Sequence, residues 1–210
     1  MIIGLEGPAG AGKTTMARTV AAEFGAVVVE GGAWYRALAY EAQRRGIAVD
    51  DVDRLIGLAE QLTLRLEPPN RIMLEGNDVT DALYTPDIAV AVPQIAQHLP
   101  VREKIEPKIV AEARAHDLTI NVGRHLRAVL PEAYILAVKI DPDEAIRRSQ
   151  HSAAHDVQSL KQRRDIDEQT KQLLGETDDG KVVVDVTDMS PAQQADALRQ
   201  FIKQCPNHMS

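Results

Sequence analysis

Short apolar runs alternate along the chain with longer segments in which apolar residues recur every three or four positions. The apolar runs predict strands at residues 1–6, 26–30, 118–122, 133–140 and 181–186. Because these runs lack the polar alternation of a half-exposed strand, they are typical of a parallel sheet that helices cover on both faces. The pattern therefore predicts an α/β fold, in which helices flank a parallel sheet of roughly five strands.

Segments with helical periodicity occupy most of the remaining sequence. They predict helices at residues 13–24, 33–46, 50–62, 86–97, 101–115 and 142–174. We expect Pro100 to separate the helix at 86–97 from the one at 101–115. A last helix should begin after Ser190, because serine is a favourable N-cap and Pro191 suits the first helical position.

Residues 63–84 interrupt this alternation. Two short alternating strands flank Pro68-Pro69-Asn70, and a turn at Gly76-Asn77 follows them, so we predict a small β insertion. We expect one domain over residues 1–210, made of a core (1–62 and 116–210), an insertion (about 63–115) and a short lid (about 147–172).

The composition favours a globular protein of the cytoplasm. Of the 210 residues, 44% are hydrophobic and only 3% aromatic, so Ala, Val, Ile and Leu must form the core. The formal net charge of −7 argues against a general nucleic-acid binder. No apolar run approaches the roughly 18 residues of a membrane span, and the N-terminal residues do not resemble a signal peptide. With Cys205 as the single cysteine, we expect a reducing compartment.

A glycine-rich stretch follows the first predicted strand. Residues 7–14 read GPAGAGKT and fit the phosphate-loop pattern GxxxxGK[ST] between a strand and a helix. Glycines let backbone N–H groups turn inward around a phosphate, and the helix start adds positive potential. Lys13 should reach the β- and γ-phosphates, while the hydroxyl of Thr14 should bind Mg²⁺. The residues predicted to bind the nucleotide are Gly7, Pro8, Ala9, Gly10, Ala11, Gly12, Lys13, Thr14 and Thr15.

The loop alone is shared by many nucleotide-binding proteins. Motor, switch and transport proteins need further machinery, for which 210 residues leave little room. A small α/β chain with an insertion is better suited to a kinase of small molecules, which closes over two substrates to exclude water.

Six segments carry a resemblance that extends beyond the phosphate loop. They are GPAGAGKTT (7–15), EGGAWYRALA (30–39), LEGNDVTDALYTPDIAVAV (74–92), PVREKI (100–105), GRHLRAVLPEA (123–133) and RRDIDEQTK (163–171). In this order they are similar to segments of the cytidylate kinases, which are P-loop nucleoside monophosphate kinases. The resemblance implies a three-layer P-loop NTPase fold with an acceptor-binding insertion and a lid.

The resemblance also implies which residues hold the acceptor nucleotide. Arg36, Arg102 and Arg124 fall on family arginines that hold it, mainly through its phosphate. Arginine suits this role because its planar cation can bind a phosphate through two hydrogen bonds. The other acceptor-binding positions implied are Gly32, Tyr35 and His125.

Several arginines lie in or beside the expected lid, at positions 147, 148, 163 and 164. One or two of them should close on the ATP phosphates and neutralise charge during transfer. We take Arg148 and Arg164 as catalytic together with Lys13, and Asp165 as a residue that orients such an arginine.

The sequence departs from the family at positions that read the base and sugar. Val122 occupies a position where the family has an acid, and His125 occupies that of the family's aspartate after the Gly-Arg pair. Pro93 occupies the position of a family serine. Valine and proline cannot accept a hydrogen bond from a base or ribose, and histidine does so differently. We interpret this pattern as retained kinase chemistry with an altered or relaxed acceptor.

Two further positions leave alternatives open. Glu6 either replaces the metal-anchoring acid lost at Val122 or only orders the phosphate loop. Trp34 either stacks on a base or packs in the core, and we favour packing.

We therefore expect transfer of a phosphoryl group from Mg·ATP to a pyrimidine nucleoside monophosphate, namely CMP, dCMP or a modified cytidylate. The expected partners are these two nucleotides, with no nucleic acid and no membrane, and we expect a monomer. The alternatives are a P-loop kinase for a different small acceptor and a nucleotide-binding regulatory protein without turnover.

Overall fold

The structure is a computed structural model that describes residues 1–67, 71–150 and 180–206. Its strands are β1 (Ile2–Glu6), β2 (Val27–Glu30), β3 (Leu64–Glu67), β4 (Arg71–Leu74), β5 (Asn77–Asp78), β6 (Thr119–Gly123), β7 (Tyr134–Lys139) and β8 (Val182–Asp185). Its helices are α1 (Lys13–Ala21), α2 (Gly31–Arg44), α3 (Val52–Gln61), α4 (Pro86–Ala96), α5 (Leu99–Arg114), α6 (Leu126–Val129), α7 (Pro142–Gln150) and α8 (Pro191–Gln204). Short 3₁₀ turns occupy Ala22–Phe24 and Asp81–Tyr84.

Within the described residues, the central sheet has five parallel strands in the order β2-β6-β1-β7-β8. The predicted five-stranded sheet flanked by helices is therefore confirmed. In register, Leu5 of β1 lies between Val122 of β6 and Leu136 of β7. Strands β3, β4 and β5 form a separate antiparallel sheet, as predicted for the insertion.

Two helix predictions need comment. The two helices predicted on either side of Pro100 are present as α4 and α5, but they separate before this proline. Helix α5 already begins at Leu99 and contains Pro100 in its first turn. Proline is tolerated there since the first helical N–H groups have no partner within the helix. The predicted helix at 142–174 is present as α7 up to Gln150, and its remainder lies outside the described residues.

The sheet and the insertion belong to two large hydrophobic clusters. Side chains of β1, β6 and β7 pack with α1 and α8, with Ile3, Leu5 and Ile120 fully buried. The second cluster joins α2 and α3 to α4, α5 and the strands β3 and β4. Helices α2 and α3 therefore pack with the insertion, and the predicted core boundary at residue 62 stays a prediction. No helix of the described ranges is long and apolar enough to cross a membrane.

The parallel sheet determines where functional side chains meet. Glu6 at the end of β1 is level with Gly123 of β6, and Glu30 at the end of β2 is level with Val122. Because the carboxyl ends of parallel strands share one edge, the loop after β1 and the residues after β2 and β6 lie close together.

Helix α8 begins with a capping box. The Ser190 hydroxyl accepts from the Gln193 backbone N–H at 3.3 Å, and the Gln193 side chain accepts from the Ser190 N–H at 2.8 Å. We expect Ser190→Ala to lower the free energy of unfolding by about 1 kcal/mol, because an N-terminal N–H of α8 loses its partner. Urea denaturation of the two proteins measures this difference.

The matched control is Gln200→Ala, which changes an exposed side chain on the same helix. It should alter the unfolding free energy by less than about 0.5 kcal/mol. Equal losses in both variants would contradict a specific role for the cap.

Candidate active site

The phosphate loop connects β1 to α1 and needs glycine at three positions. Gly7, Gly10 and Gly12 have φ values of 148°, 83° and 79°, a region that other residues rarely adopt. A Cβ on Gly7 would lie 2.3 Å from the Val138 carbonyl oxygen. A Cβ on Gly12 would lie 2.8 Å from Oε1 of Gln194. The loop is therefore packed closely between β7 and α8.

Lys13 lies over this loop. Its Nζ donates to the carbonyl oxygens of Gly7 and Pro8, both at 2.7 Å. Burial, and then the neighbouring charge of Arg124, lower the pKa of the Lys13 ammonium to about 7, while Glu30 acts in the opposite direction. Arg124 directly follows β6, so its charge acts near the edge of the sheet that carries the phosphate loop.

Thr14 and Glu30 bring oxygen donors together beside the start of α1. The Thr14 hydroxyl donates to Oε2 of Glu30 at 3.3 Å. Hydroxyl and carboxylate oxygens are the donors that Mg²⁺ prefers in proteins. These residues therefore fit the ion that accompanies ATP.

Glu30 is also bound by two residues that the sequence interpretation missed. Arg18 donates from Nε and Nη2 to Oε1 of Glu30, at 3.1 and 2.8 Å. Tyr84 donates to Oε2 at 3.4 Å and accepts from Arg18 at 3.0 Å. Arg18 follows Thr14 by one helical turn, and this spacing could have indicated a shared face. No spacing rule predicts Tyr84, which comes from the turn before α4.

Arg36 contacts the ring of Tyr84. It is buried, with its guanidinium 4.8 Å from the centre of the Tyr84 ring, and Nη1 donates to the Leu83 carbonyl at 3.1 Å. Burial and the charge of Glu30 raise the pKa of the Tyr84 hydroxyl, which keeps it protonated and able to donate. Tyr84 thus contacts both Arg36, expected at the acceptor, and Glu30, which holds Thr14.

Tyr35 and Arg102 form a second pair on the acceptor side. Burial and the neighbouring Glu106 raise the pKa of Tyr35 to about 12, against the opposing charge and hydrogen bond of Arg102. The half-exposed Arg102 donates from Nε and Nη2 to Oε1 of Glu106, at 2.9 and 2.7 Å. An acceptor phosphate would have to compete with Glu106 for this guanidinium.

The remaining acceptor positions begin two helices. Gly32 lies in the first turn of α2, directly after Glu30 and Gly31. His125 is the residue before α6 and has a φ of 54°, in the left-handed region. Arg124 and His125 therefore follow β6 at the edge that carries the phosphate loop.

Glu6 is held by two residues outside the phosphate loop. It is buried, its Oε1 accepts from the backbone N–H of Arg127 at 3.1 Å, and its Oε2 pairs with Lys181 at 2.8 Å. Neither of these partners belongs to the phosphate loop, and both alternatives for Glu6 stay predictions. Val122 is 8% exposed in the core, and Trp34, at 4%, packs in the second hydrophobic cluster as expected.

Arg148 lies on α7 and binds backbone groups before α8. Its Nε donates to Glu144 at 2.7 Å, and its Nη2 donates to the carbonyls of Val186 and Thr187 at 2.8 and 2.7 Å. In this arrangement the Arg148 side chain stabilises the backbone of the segment after β8. Its catalytic role stays a prediction, and Arg164 and Asp165 lie outside the described residues.

Comparison with known proteins agrees with this geometry. A model of the cytidylate kinase family matches residues 3–204. A cytidylate kinase of Rhodopirellula baltica is 28% identical, covering 98% of this chain and 93% of that protein. A cytidylate kinase of Pelotomaculum thermopropionicum is 35% identical over an alignment that covers 72% of this chain and 70% of that protein. A shikimate kinase structure from Bacteroides thetaiotaomicron has a TM-score of 0.52 at 12% identity, covering 96% of this chain and 97% of that one, which shows a shared fold.

The low pKa of Lys13 predicts that the protein takes up protons when it binds Mg·ADP at pH 8. With a pKa of about 7, about nine-tenths of the Lys13 side chains are neutral at that pH. Phosphate oxygens favour the charged ammonium and raise its pKa, so binding should take up on the order of one proton. Calorimetry in buffers of different ionisation enthalpy measures this number.

Lys13→Arg should remove the uptake because arginine stays charged at this pH. Lys203→Met, on the exposed face of α8, serves as the control that keeps it. A binding enthalpy that does not depend on the buffer in the wild type would refute the assignment to Lys13.

Proposed function

The chain belongs to the cytidylate kinase family, and is therefore an enzyme of the nucleoside monophosphate kinase class; we propose that it transfers the γ-phosphoryl group of Mg·ATP to a pyrimidine nucleoside monophosphate. The products are ADP and the nucleoside diphosphate. CMP or dCMP is the default acceptor, and a modified cytidylate is the leading variant. We propose that it acts as a monomer in the cytoplasm.

One observation carries the proposal beyond the family match. The pair Lys13–Thr14, which suits a triphosphate, is connected through Glu30 and Tyr84 to the buried Arg36, which suits an acceptor phosphate. Cations for two phosphate groups thus occupy one edge of the sheet. A protein that only binds one nucleotide has no need of the second set.

The proposed roles follow from these positions. An oxygen of the acceptor phosphate attacks the γ-phosphorus, and the bond from the γ-phosphorus to the bridging oxygen of ADP breaks. Lys13 and the loop N–H groups bind the β- and γ-phosphates. Arg36, Arg102 and Arg124 hold the acceptor phosphate and reduce the repulsion between the two anions. Mg²⁺ on Thr14 would offset charge on the triphosphate.

The departures from the family lie at positions expected to read the base and sugar of the acceptor, and the one at Val122 also removes an acid that could anchor the metal. Val122 is buried among apolar side chains and presents no group that accepts a hydrogen bond. Pro93 lies within α4, where it lacks the backbone N–H as well as a hydroxyl. With His125 in place of an acid, these changes support an acceptor that differs from CMP in its base or sugar.

The experiment that tests the proposal measures ADP formation from Mg·ATP with CMP, dCMP, UMP, dUMP, dTMP, AMP, GMP and several 5-substituted cytidylates. We expect activity with at least one pyrimidine nucleotide, and at least a hundredfold loss in Lys13→Ala, since a phosphate-binding cation is worth several kcal/mol in transfer. Normal turnover in Lys13→Ala would contradict the position of the site. ATP binding without turnover of any acceptor in the panel would contradict the proposed reaction.

Position 125 offers a gain-of-function test. Aspartate tolerates the left-handed backbone that His125 adopts, so His125→Asp should fold without strain. A carboxylate can accept from the cytosine amino group, which UMP lacks, and such a bond contributes about 1.5–3 kcal/mol. We therefore expect kcat/KM for CMP to rise by about tenfold or more relative to UMP. An unchanged ratio of kcat/KM for CMP to that for UMP would show that His125 does not determine specificity. The control is His116→Asp, in the bend that follows α5.

A further inference from the structure

Tyr84 lies between the donor site and the acceptor site and touches both. We propose that Tyr84 is a positioning residue that couples the two sites, so that occupation of the Thr14 side by a metal-nucleotide changes how Arg36 holds the acceptor. This inference rests on the proposed function, because it assigns the two sites to the two substrates.

The hydroxyl end of Tyr84 belongs to a closed set of hydrogen bonds beside Thr14. Arg18 donates to the Tyr84 oxygen and to Oε1 of Glu30, while Tyr84 and Thr14 both donate to Oε2 of Glu30. The carboxylate of Glu30 is mostly buried, with 15% of its side chain exposed. A cation that took a lone pair of the Thr14 oxygen would leave its O–H in place, so Thr14 and Tyr84 would still share Oε2 as donors.

The ring of Tyr84 carries the effect to Arg36. The Arg36 guanidinium lies over the ring at 4.8 Å, and the Leu83 carbonyl, from the residue before Tyr84, accepts from its Nη1 at 3.1 Å. Because Arg36 is buried, the energy of its guanidinium depends strongly on the contacts that it makes. A small displacement of the ring therefore changes the position or the energy of Arg36.

The coupling follows from competition for Glu30. Mg²⁺ held by the Thr14 oxygen would draw electron density from the hydroxyl, so the Thr14 O–H would donate more strongly to Oε2 of Glu30. The Tyr84 hydroxyl, which shares Oε2 with Thr14, would then be held mainly by Arg18, and this changes the position of its ring beside Arg36. Coupling between two binding sites is reciprocal. If the metal-nucleotide raises the affinity for the acceptor by some factor, the acceptor must raise the affinity for the metal-nucleotide by the same factor.

Tyr84→Phe separates the two ends of the residue. It keeps the ring beneath Arg36 and removes the hydroxyl that Arg18 and Glu30 hold. Tyr40→Phe is the matched control, since Tyr40 also places its ring near an arginine of α2, Arg44, at 5.6 Å. Thermal melting of both variants checks that they remain folded.

The first measurement needs no acceptor. The Nε–Hε NMR resonance of Arg36 is assigned by its loss in Arg36→Lys and followed while Mg·ADP is added. In the wild type and in Tyr40→Phe it should move as Mg·ADP binds, whereas in Tyr84→Phe it should stay within the line width. The Arg44 resonance, farther along α2, should not move in any of the proteins.

The second measurement is the dissociation constant of CMP with and without a saturating non-hydrolysable Mg·ATP analogue. We expect the analogue to tighten CMP binding about fivefold or more in the wild type. In Tyr84→Phe this factor should fall to within about twofold of one.

The outcomes distinguish this inference from the function on which it rests. If Mg·ADP binds and Arg36 does not respond in the wild type, or if Tyr84→Phe keeps the full response, the coupling role is overturned and the kinase proposal stands. If Mg·ADP fails to bind the wild type, both are overturned. If CMP does not bind, the Arg36 response alone decides the coupling.

Discussion

The parallel pairing of β1 with β6 and β7 is the constraint from which the active-site arrangement follows. Each of these strands ends at the same edge of the sheet, so the phosphate loop, Glu30 and Arg124 meet although they are far apart in sequence. The pairing favours largely apolar strands, because both faces of the sheet are covered by helices. The fully buried Ile3, Leu5 and Ile120 meet that requirement.

At this edge the negative charges are as important as the cations. A phosphate site that contained only lysine and arginine would repel itself when empty. Glu30 compensates Arg18, and Glu106 compensates Arg102. Lys13 instead rests on two carbonyl oxygens with a lowered pKa. Neutralising partners of this kind allow cations to be held ready at positions where substrates bring negative charge.

Local patterns in the sequence predicted most of the fold. The strands, the phosphate loop and the cap at Ser190 each depend on neighbouring residues, and a sequence pattern reports such dependence well. Tyr84, Lys181 and Gln194 could not be predicted in this way, because their partners Glu30, Glu6 and Gly12 come from distant segments. The start of α5 before Pro100 was missed because proline was interpreted as a helix break and not as a first-turn residue.

The close approach of Gln194 to Gly12 has a consequence for how the protein acquires its site during folding. The phosphate loop follows the first strand, yet its walls are the Val138 carbonyl of β7 and the Gln194 side chain of α8. Contacts between such distant parts of a chain form late, since closing long loops is entropically costly. The ribosome synthesises the glycine-rich segment long before α8. We therefore expect the growing chain to bind a nucleotide only after α8 has packed against the phosphate loop.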